Sequence, residues 1–193
     1  MAILVVGLII FLGIHSISIV APVFRDGVAA RMGAGPWRGV YSLISIIGFV
    51  LLIWGYGLAR REPVMLYNPP FWTRYVTAVL MLPVFPLIFA PYFPGRIKAA
   101  LKHPMLVAVK LWAVAHLISN GMLADVVLFG AFLAWAVADR ISYKHRTQRP
   151  LQTAPPSPRN DVIVTVVGLV LYALFLFWLH AKLIGVQPIP TGS

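Results

Sequence analysis

The stretch HPMLVAVKLWAVAHLISNG, residues 103–121, decides the fold. It is apolar enough to lie in a bilayer and long enough for a helix, yet it carries the imidazoles of His103 and His116 and the amine of Lys110. Ionisable groups are costly in hydrocarbon and persist there where they face a partner, a cavity or a ligand. The stretch therefore predicts a membrane helix that carries part of a functional site.

The composition of the whole chain agrees with a membrane environment. Apolar residues make up 60% of the 193 residues and charged residues 11%, and the mean hydropathy is +0.87. These values exclude an ordinary soluble domain. Because the apolar runs are unbroken and do not alternate with polar residues, they predict helices and not the strands of a barrel. We expect an all-α, polytopic membrane helical bundle.

Apolar runs of about 17 to 25 residues, the length that crosses a bilayer as a helix, predict six transmembrane helices. Asn120-Gly121 alone separates the fourth from the fifth, so one long helix is the alternative there. Asn-Gly is a strong turn signal, and a continuous helix would be too long for one crossing. The six predicted spans are Ala2–Pro22, Gly39–Leu58, Phe71–Tyr92, Pro104–Ser119, Met122–Ala138 and Val162–Ile184.

The spans are expected to form one transmembrane domain, residues 1–190. Within it, residues 149–160 are rich in proline and predict an extended cytoplasmic linker. Residues 191–193 resemble the remnant of an expression tag.

Basic residues near the span ends predict the orientation, because positively charged loops stay in the cytoplasm. The second connection holds only Arg60 and Arg61, and the fourth holds none. We therefore predict a multi-pass protein of a bacterial inner membrane with both termini in the periplasm. The cations of the odd-numbered connections are Arg25, Arg31, Arg38, Arg96, Lys98, Lys102, Arg140, Lys144, Arg146, Arg149 and Arg159.

The formal net charge of +11 does not indicate a nucleic-acid partner, because the cations lie at span ends, where they meet the lipid bilayer. The chain has no cysteine. This removes disulfides, thiolate ligation, iron–sulfur clusters and cysteine nucleophiles. A metal would have to be held by histidine, methionine or carboxylate.

Depth along the predicted helices places three polar residues together near the cytoplasmic side. At about 1.5 Å per residue, His15 lies roughly 10 Å from the inner end of the first span, and His103 begins the fourth span on that side. Lys110 shares a helical face with His103, and its depth matches that of His15. The alternative is that the histidines are interhelical hydrogen-bond partners and that Lys110 snorkels or pairs with a backbone carbonyl or Asp125.

A second polar cluster is predicted near the outer ends of the spans. It contains His116 and His180, with Asp125 in the first turns of the fifth span and Asn120 at the preceding turn. If this cluster holds the metal, His116 and His180 are the ligands and Asp125 orients an imidazole. His145 lies in a basic loop and is interpreted as solvated.

Two imidazoles in a cysteine-free bundle suggest haem, because helix bundles build cofactor sites from inward side chains and histidine is a common axial ligand. We predict His15 and His103 as the metal ligands. Lys110, or the basic inner rim that includes Arg38 and Lys102, would meet the propionates.

Several motifs closely resemble the NnrU family, over most of the chain. NnrU-like proteins are bacterial inner-membrane proteins associated with denitrification, so the resemblance implies a role in nitric oxide metabolism, with a nitric oxide reductase or another respiratory complex as partner. The motifs are His103-Pro104-Met105, Lys110-Leu111-Trp112, Ala115-His116-Leu117, Asn120-Gly121, Leu128-Phe129-Gly130, Trp135 to Arg140, Arg38 to Leu43 and Trp54-Gly55-Tyr56-Gly57.

The family is in turn similar to zeta-carotene isomerase, a membrane protein with histidine-held haem b and a redox-dependent isomerisation. His15, within Gly13 to Ser16, and His103 would carry that resemblance and imply haem b here. The isomerase exchanges one ligand for a nearby cysteine on reduction, whereas this chain has Ala99 and Ala100 before His103. The resemblance therefore does not extend to that ligand exchange.

Two other function classes stay open. Lys102 to Met105 partly matches the Arg-His-Pro motif of membrane methyltransferases that use S-adenosylmethionine, although Ala108 stands where that group often has glycine. A non-enzymatic assembly factor for a respiratory reductase would use the same polar residues as contacts. The sequence leaves open whether the chain is an enzyme.

Overall fold

The computed structural model describes residues 1–146, 149 and 151–189, and the regular elements within these ranges are helices. An isolated antiparallel bridge joins Met65 and Met122. The all-α class is therefore confirmed for the described residues. The predicted tag remnant, residues 191–193, lies outside them. The chain divides into two compact units, which we call unit one, residues 1–66 and 122–147, and unit two, residues 67–121 and 148–193.

Unit one is built around the contact between its first and third helices. Glycines allow this contact, because their missing side chains let the two backbones approach closely. A Cβ on Gly7 would lie 2.8 Å from the carbonyl carbon of Leu51, and one on Gly48 would lie 2.7 Å from the amide nitrogen of Phe11. The helices of unit one are α1 (Ala2–Val20), α2 (Pro22–Met32), α3 (Ala34–Ala59) and α8 (Leu123–Ser142).

Unit two is organised around α7, which contacts α4, α5 and α6, while α5 also packs against α9. One buried cluster in this unit contains Val84, Leu87 and Ala108, with Ile97 of α6 among the apolar side chains packed against it. The helices of unit two are α4 (Thr73–Met81), α5 (Val84–Phe89), α6 (Arg96–Leu101), α7 (Pro104–Ser119), α9 (Arg159–Leu174) and α10 (His180–Ile184). A π-helical turn, Phe175–Leu179, joins α9 to α10.

The six predicted spans all coincide with helices, but their number as membrane crossings stays a prediction. Three helical stretches are long and apolar enough to cross a bilayer, namely Ala2–Val20, Ala34–Ala59 and Arg159–Ile184. The apolar helices Thr73–Phe89 and Pro104–Ser119 are shorter. These helices support a membrane helical bundle.

One helix boundary corrects the sequence interpretation, and another confirms it. The third predicted span is two helices, since α4 ends before Pro83 and α5 begins after it; proline has no N–H to continue a helix. The single-helix alternative around Asn120 is wrong, because α7 ends at Ser119 and α8 begins at Leu123.

The proline-rich linker is shorter than predicted, because α9 already begins at Arg159. The described linker residues are irregular but make specific backbone contacts. The N–H of Ala154 donates to the carbonyl of Tyr92 at 2.9 Å, and that of Ser157 donates to the carbonyl of Pro94 at 3.1 Å.

Candidate functional site

His15 lies on α1 in unit one, half-buried among aromatic rings. Its Nδ1 lies 2.6 Å from the carbonyl oxygen of Phe11, one turn earlier. A carbonyl only accepts hydrogen bonds, so Nδ1 carries the proton and donates it, and Nε2 carries the lone pair. This is the tautomer that a metal-binding histidine uses when its other nitrogen is held by a backbone carbonyl.

Aromatic side chains from three helices surround this imidazole. Its ring centroid lies 4.3 Å from that of Phe11, 5.3 Å from that of Tyr41 on α3 and 6.0 Å from that of Trp135 on α8. Further ring contacts extend the group outward. We call the whole set the aromatic cluster: Phe11, His15, Trp37, Tyr41, Phe49, Phe132 and Trp135.

The indole of Trp135 adds an unusual polar group to this cluster. Among the described residues, its Nε1 is the single buried side-chain nitrogen or oxygen without a hydrogen-bond partner. Leaving a buried donor unsatisfied costs about 1–3 kcal/mol, and such orphans are rare in folded proteins. An acceptor from a bound group would remove this cost.

An ion pair lies one helical turn beyond Trp135 on α8. The guanidinium of Arg146 donates to the carboxylate of Asp139 at 2.6 Å, and both side chains are largely buried. The hydroxyl of Ser142 donates to the backbone carbonyl of Asp139 at 2.8 Å. Sequence reasoning placed Arg146 only among the orienting cations, since spacing alone does not show that it pairs with Asp139, just past the predicted fifth span.

The other residues predicted for the inner site are divided between the units. Arg38 is exposed in unit one, whereas His103 and Lys110 belong to unit two. His103 is the N-cap of α7, where Pro104 occupies the first helical position. Lys110 lies half-buried on the same helix. The hypothesis that His15 and His103 ligate one iron stays a prediction.

Asp125, predicted in the outer cluster, is a fully buried carboxylate of unit one. One oxygen accepts the hydroxyl of Tyr56 at 2.6 Å, and the other accepts the backbone N–H of Met122 at 3.0 Å. The carboxylate thus caps the N-terminus of α8. The sequence did not identify Tyr56 as the partner of Asp125, because Tyr56 lies 69 residues away inside an apolar span. Tyr56 belongs to the motif Trp54-Gly55-Tyr56-Gly57.

The remaining outer residues belong to unit two and bond to nearby backbone. Nδ1 of His116 lies 2.8 Å from the carbonyl oxygen of Trp112. The amide of Asn120 donates to the carbonyl of His116 at 2.9 Å. His180 follows the π-helical turn, and its Nδ1 lies 2.7 Å from the carbonyl oxygen of Val186. Tyr67 also contributes here, because its hydroxyl can donate its one proton to the carbonyl of Leu117 or to that of Asn120.

Metal sites built from protein ligands alone need several side chains together. Among the described residues, no three histidine or carboxylate side chains are grouped in this way. Haem iron needs only one or two protein ligands, because the porphyrin supplies the others.

Comparison with known proteins gives one match. The family model described as NnrU protein matches residues 3–188, nearly the whole chain. Neither the curated proteins nor the solved structures contain a match to the chain.

Proposed function

The chain belongs to the NnrU family, and we propose that it is an inner-membrane protein that binds haem b through histidine, with His15 as a residue that would hold the iron. The observation that carries the proposal is the hydrogen bond of 2.6 Å between Nδ1 of His15 and the carbonyl of Phe11. It leaves the Nε2 lone pair for iron. Holding the second nitrogen in this way also fixes the ring and raises the basicity of the ligand.

The aromatic cluster supports the same assignment. Aromatic rings such as those of Phe11 and Tyr41 exclude water from a site. This exclusion influences the reduction potential of a bound haem. The unpartnered Nε1–H of Trp135 offers a donor for a polar edge of the cofactor. When bound, haem would supply one-electron chemistry and an iron to which nitric oxide binds. The chain's own residues would supply the ligand, the orientation and the exclusion of water.

A second iron ligand is proposed on sequence grounds. His103 is the first choice, with Lys110 and Arg38 proposed to meet the propionates. His116 and His180 form the alternative pair. The setting that we propose is nitrogen-oxide metabolism in a denitrifying bacterium or a redox-linked isomerase-like role, with a nitric oxide reductase or another respiratory complex as partner.

The test is a visible spectrum of the full-length protein, expressed with added haem, purified in detergent and measured oxidised and dithionite-reduced. We expect a histidine-ligated haem spectrum in the wild type. His15→Ala should lose the haem or become high-spin, because the iron loses a strong-field ligand. His145→Ala is the matched control, since His145 is exposed in a connection, and its spectrum should be unchanged.

Variants of the other histidines then locate the second ligand. His103→Ala should alter the spectrum if the inner pair is correct, whereas His116→Ala and His180→Ala should do so for the outer pair. A colourless wild type under haem-replete expression would overturn the proposal. So would a His15→Ala spectrum identical to that of the wild type.

A membrane methyltransferase is the alternative function. The partial motif, Lys102 to Met105, leads into the start of α7. In those methyltransferases the motif begins a helix that helps to bind S-adenosylmethionine. Ala108, however, is fully buried against Val84 and Leu87 where that group often has glycine. Calorimetric titration with S-adenosylmethionine distinguishes the two functions. The assembly-factor role is compatible with haem binding and is tested by copurification with a reductase.

A further inference from the structure

An open cleft of about 680 Å³ lies in unit two. It is formed by the start and end of α6 and by the segment that leads into α9. Arg96, Lys98 and Lys102 line it together with Ser157, and none of its described lining residues is acidic. The cleft is therefore strongly cationic.

The cations of the cleft are held in place by the backbone around them. Nζ of Lys98 donates to the carbonyl of Pro91 at 3.0 Å, which positions the ammonium and leaves further N–H groups to donate. Lys102 directly follows α6 and has a φ of 59°, so the chain turns sharply there. The Oγ of Ser157 accepts the N–H of Arg159 at 3.2 Å, which leaves its own O–H available as a donor.

The neighbouring acid does not neutralise these side chains by pairing with them. Asp161 accepts hydrogen bonds from the backbone N–H groups of Arg96 at 2.8 Å and Ile97 at 3.1 Å. Each of its two oxygens therefore binds a backbone N–H at the start of α6. This contact requires Gly95, because a Cβ at that position would collide with the carboxylate. The ion pairs among the described residues do not include Arg96, Lys98 or Lys102, so their charges are available to an anion from outside the chain.

The cleft lies where apolar helices begin. The candidate span Arg159–Ile184 starts directly after the lining residue Pro158, and α7 starts two residues after Lys102. Ile97 anchors α6 in the core of unit two. Phospholipid headgroups lie at this level, between the ends of apolar helices and water.

We propose that this cleft binds the phosphate group of an anionic phospholipid through Arg96, Lys98 and Lys102, with Ser157 as an additional donor. Arginine and lysine are the side chains that bind phosphate most strongly. Basic pockets at the ends of transmembrane helices bind anionic headgroups for the same reason. This proposal does not rest on haem binding, and it assigns Lys102, the neighbour of His103, to a lipid phosphate instead of a haem propionate.

The experiment titrates the purified full-length protein with dioleoyl-phosphatidylglycerol or dioleoyl-phosphatidylcholine and counts bound lipids by native mass spectrometry. Binding of phosphatidylglycerol should be at least tenfold weaker in the double variant Arg96→Gln/Lys102→Gln. The matched control, Arg31→Gln/Lys144→Gln, removes the same charge from unit one and should bind like the wild type. Equal loss in both variants, or no loss in the cleft variant, overturns the proposal.

Two further measurements keep the result unambiguous. Inorganic phosphate alone should not raise the melting temperature, whereas phosphatidylglycerol should; equal stabilisation by both would assign the cleft to a free anion and overturn the lipid assignment. The melting temperature in phosphatidylcholine alone shows whether the double variant is folded. If it is not, the single variant Lys102→Gln, whose side chain is exposed, takes its place and must show at least a threefold loss.

Discussion

Asp125 is a fully buried carboxylate of unit one. A carboxylate shielded from water is costly unless its oxygens accept hydrogen bonds. Tyr56→Phe removes the hydroxyl that donates to it at 2.6 Å and leaves the ring in place. Hydrogen bonds to charged groups contribute about 1.5–3 kcal/mol. We expect the variant to lower the free energy of unfolding by about 2 kcal/mol, measured by tryptophan fluorescence during unfolding by dodecyl sulfate in mixed micelles.

The matched control for this change is Tyr75→Phe. Tyr75 is exposed on α4, so removing its hydroxyl should change the free energy of unfolding by less than about 0.5 kcal/mol, as surface substitutions do. Similar effects of the two substitutions would show that the hydroxyl of Tyr56 does not stabilise the buried carboxylate.

At the residue scale, sequence reasoning identified polar side chains but not their partners. His15 and Asp125 stand out because ionisable groups are rare in apolar runs. Tyr56 and Trp135 do not, since aromatic residues in such runs are most often packing residues. Their roles depend on contacts between α3 or α1 and α8, which are distant in sequence and which periodicity does not specify.

At the scale of the elements, the contact between α1 and α3 depends on glycine. A Cβ on Gly55 would lie 2.6 Å from the carbonyl carbon of Ile3 and would also overlap Leu4. Because these are backbone atoms, the helices would have to separate. Gly55→Ala should therefore lower the free energy of unfolding by roughly 1–3 kcal/mol, the usual cost of overpacking, in the same micelle titration.

Gly57→Ala provides the control on the same helix. A Cβ there meets no atom within 4 Å, so only the helix propensity changes, and alanine stabilises a helix by about 1 kcal/mol relative to glycine. The two alanine variants should therefore shift stability in opposite directions. A stabilising Gly55→Ala would contradict the close approach of α1 and α3.

Hydropathy predicted the long helices well and the short ones poorly. The run Pro104–Ser119 matches α7 at both ends, because Pro104 and Asn120 are strong boundary signals. Short helices such as α2 and α6 were not expected, since an apolar run of membrane length is absent from both. Pro83, which divides the third run into α4 and α5, is one of three prolines in that stretch, and composition alone did not indicate which one ends a helix.

At the scale of the whole molecule, the apolar surface indicates what surrounds the chain. The three long candidate spans expose large apolar side chains, including Ile9 on α1, Leu43 on α3 and Val166 on α9. In water such a surface would aggregate, whereas lipid tails solvate it. Helices that are apolar around their circumference are typical of membrane spans. The surface therefore supports the membrane location and leaves the number of crossings to experiment.

The number of crossings has a direct test, because the chain has no native cysteine. Single cysteines at Glu62, Ser119 and Gln152 can be labelled in intact cells with a membrane-impermeant maleimide, with permeabilised cells as the control for reactivity. With six spans and a periplasmic N-terminus, the first two positions are labelled from outside and Gln152→Cys is protected. This expectation follows from the basic residues that flank α6 and α9.

Fewer crossings give different labelling patterns. If only the three long candidate spans cross the membrane, the segment between α3 and α9 stays outside, and all three cysteines are labelled. If α7 and α8 enter the bilayer without crossing it, Ser119→Cys and Gln152→Cys are both protected. Because α7 is short and α8 carries Asp125, Asp139 and Arg140, Ser119 is the position whose labelling decides between six crossings and four.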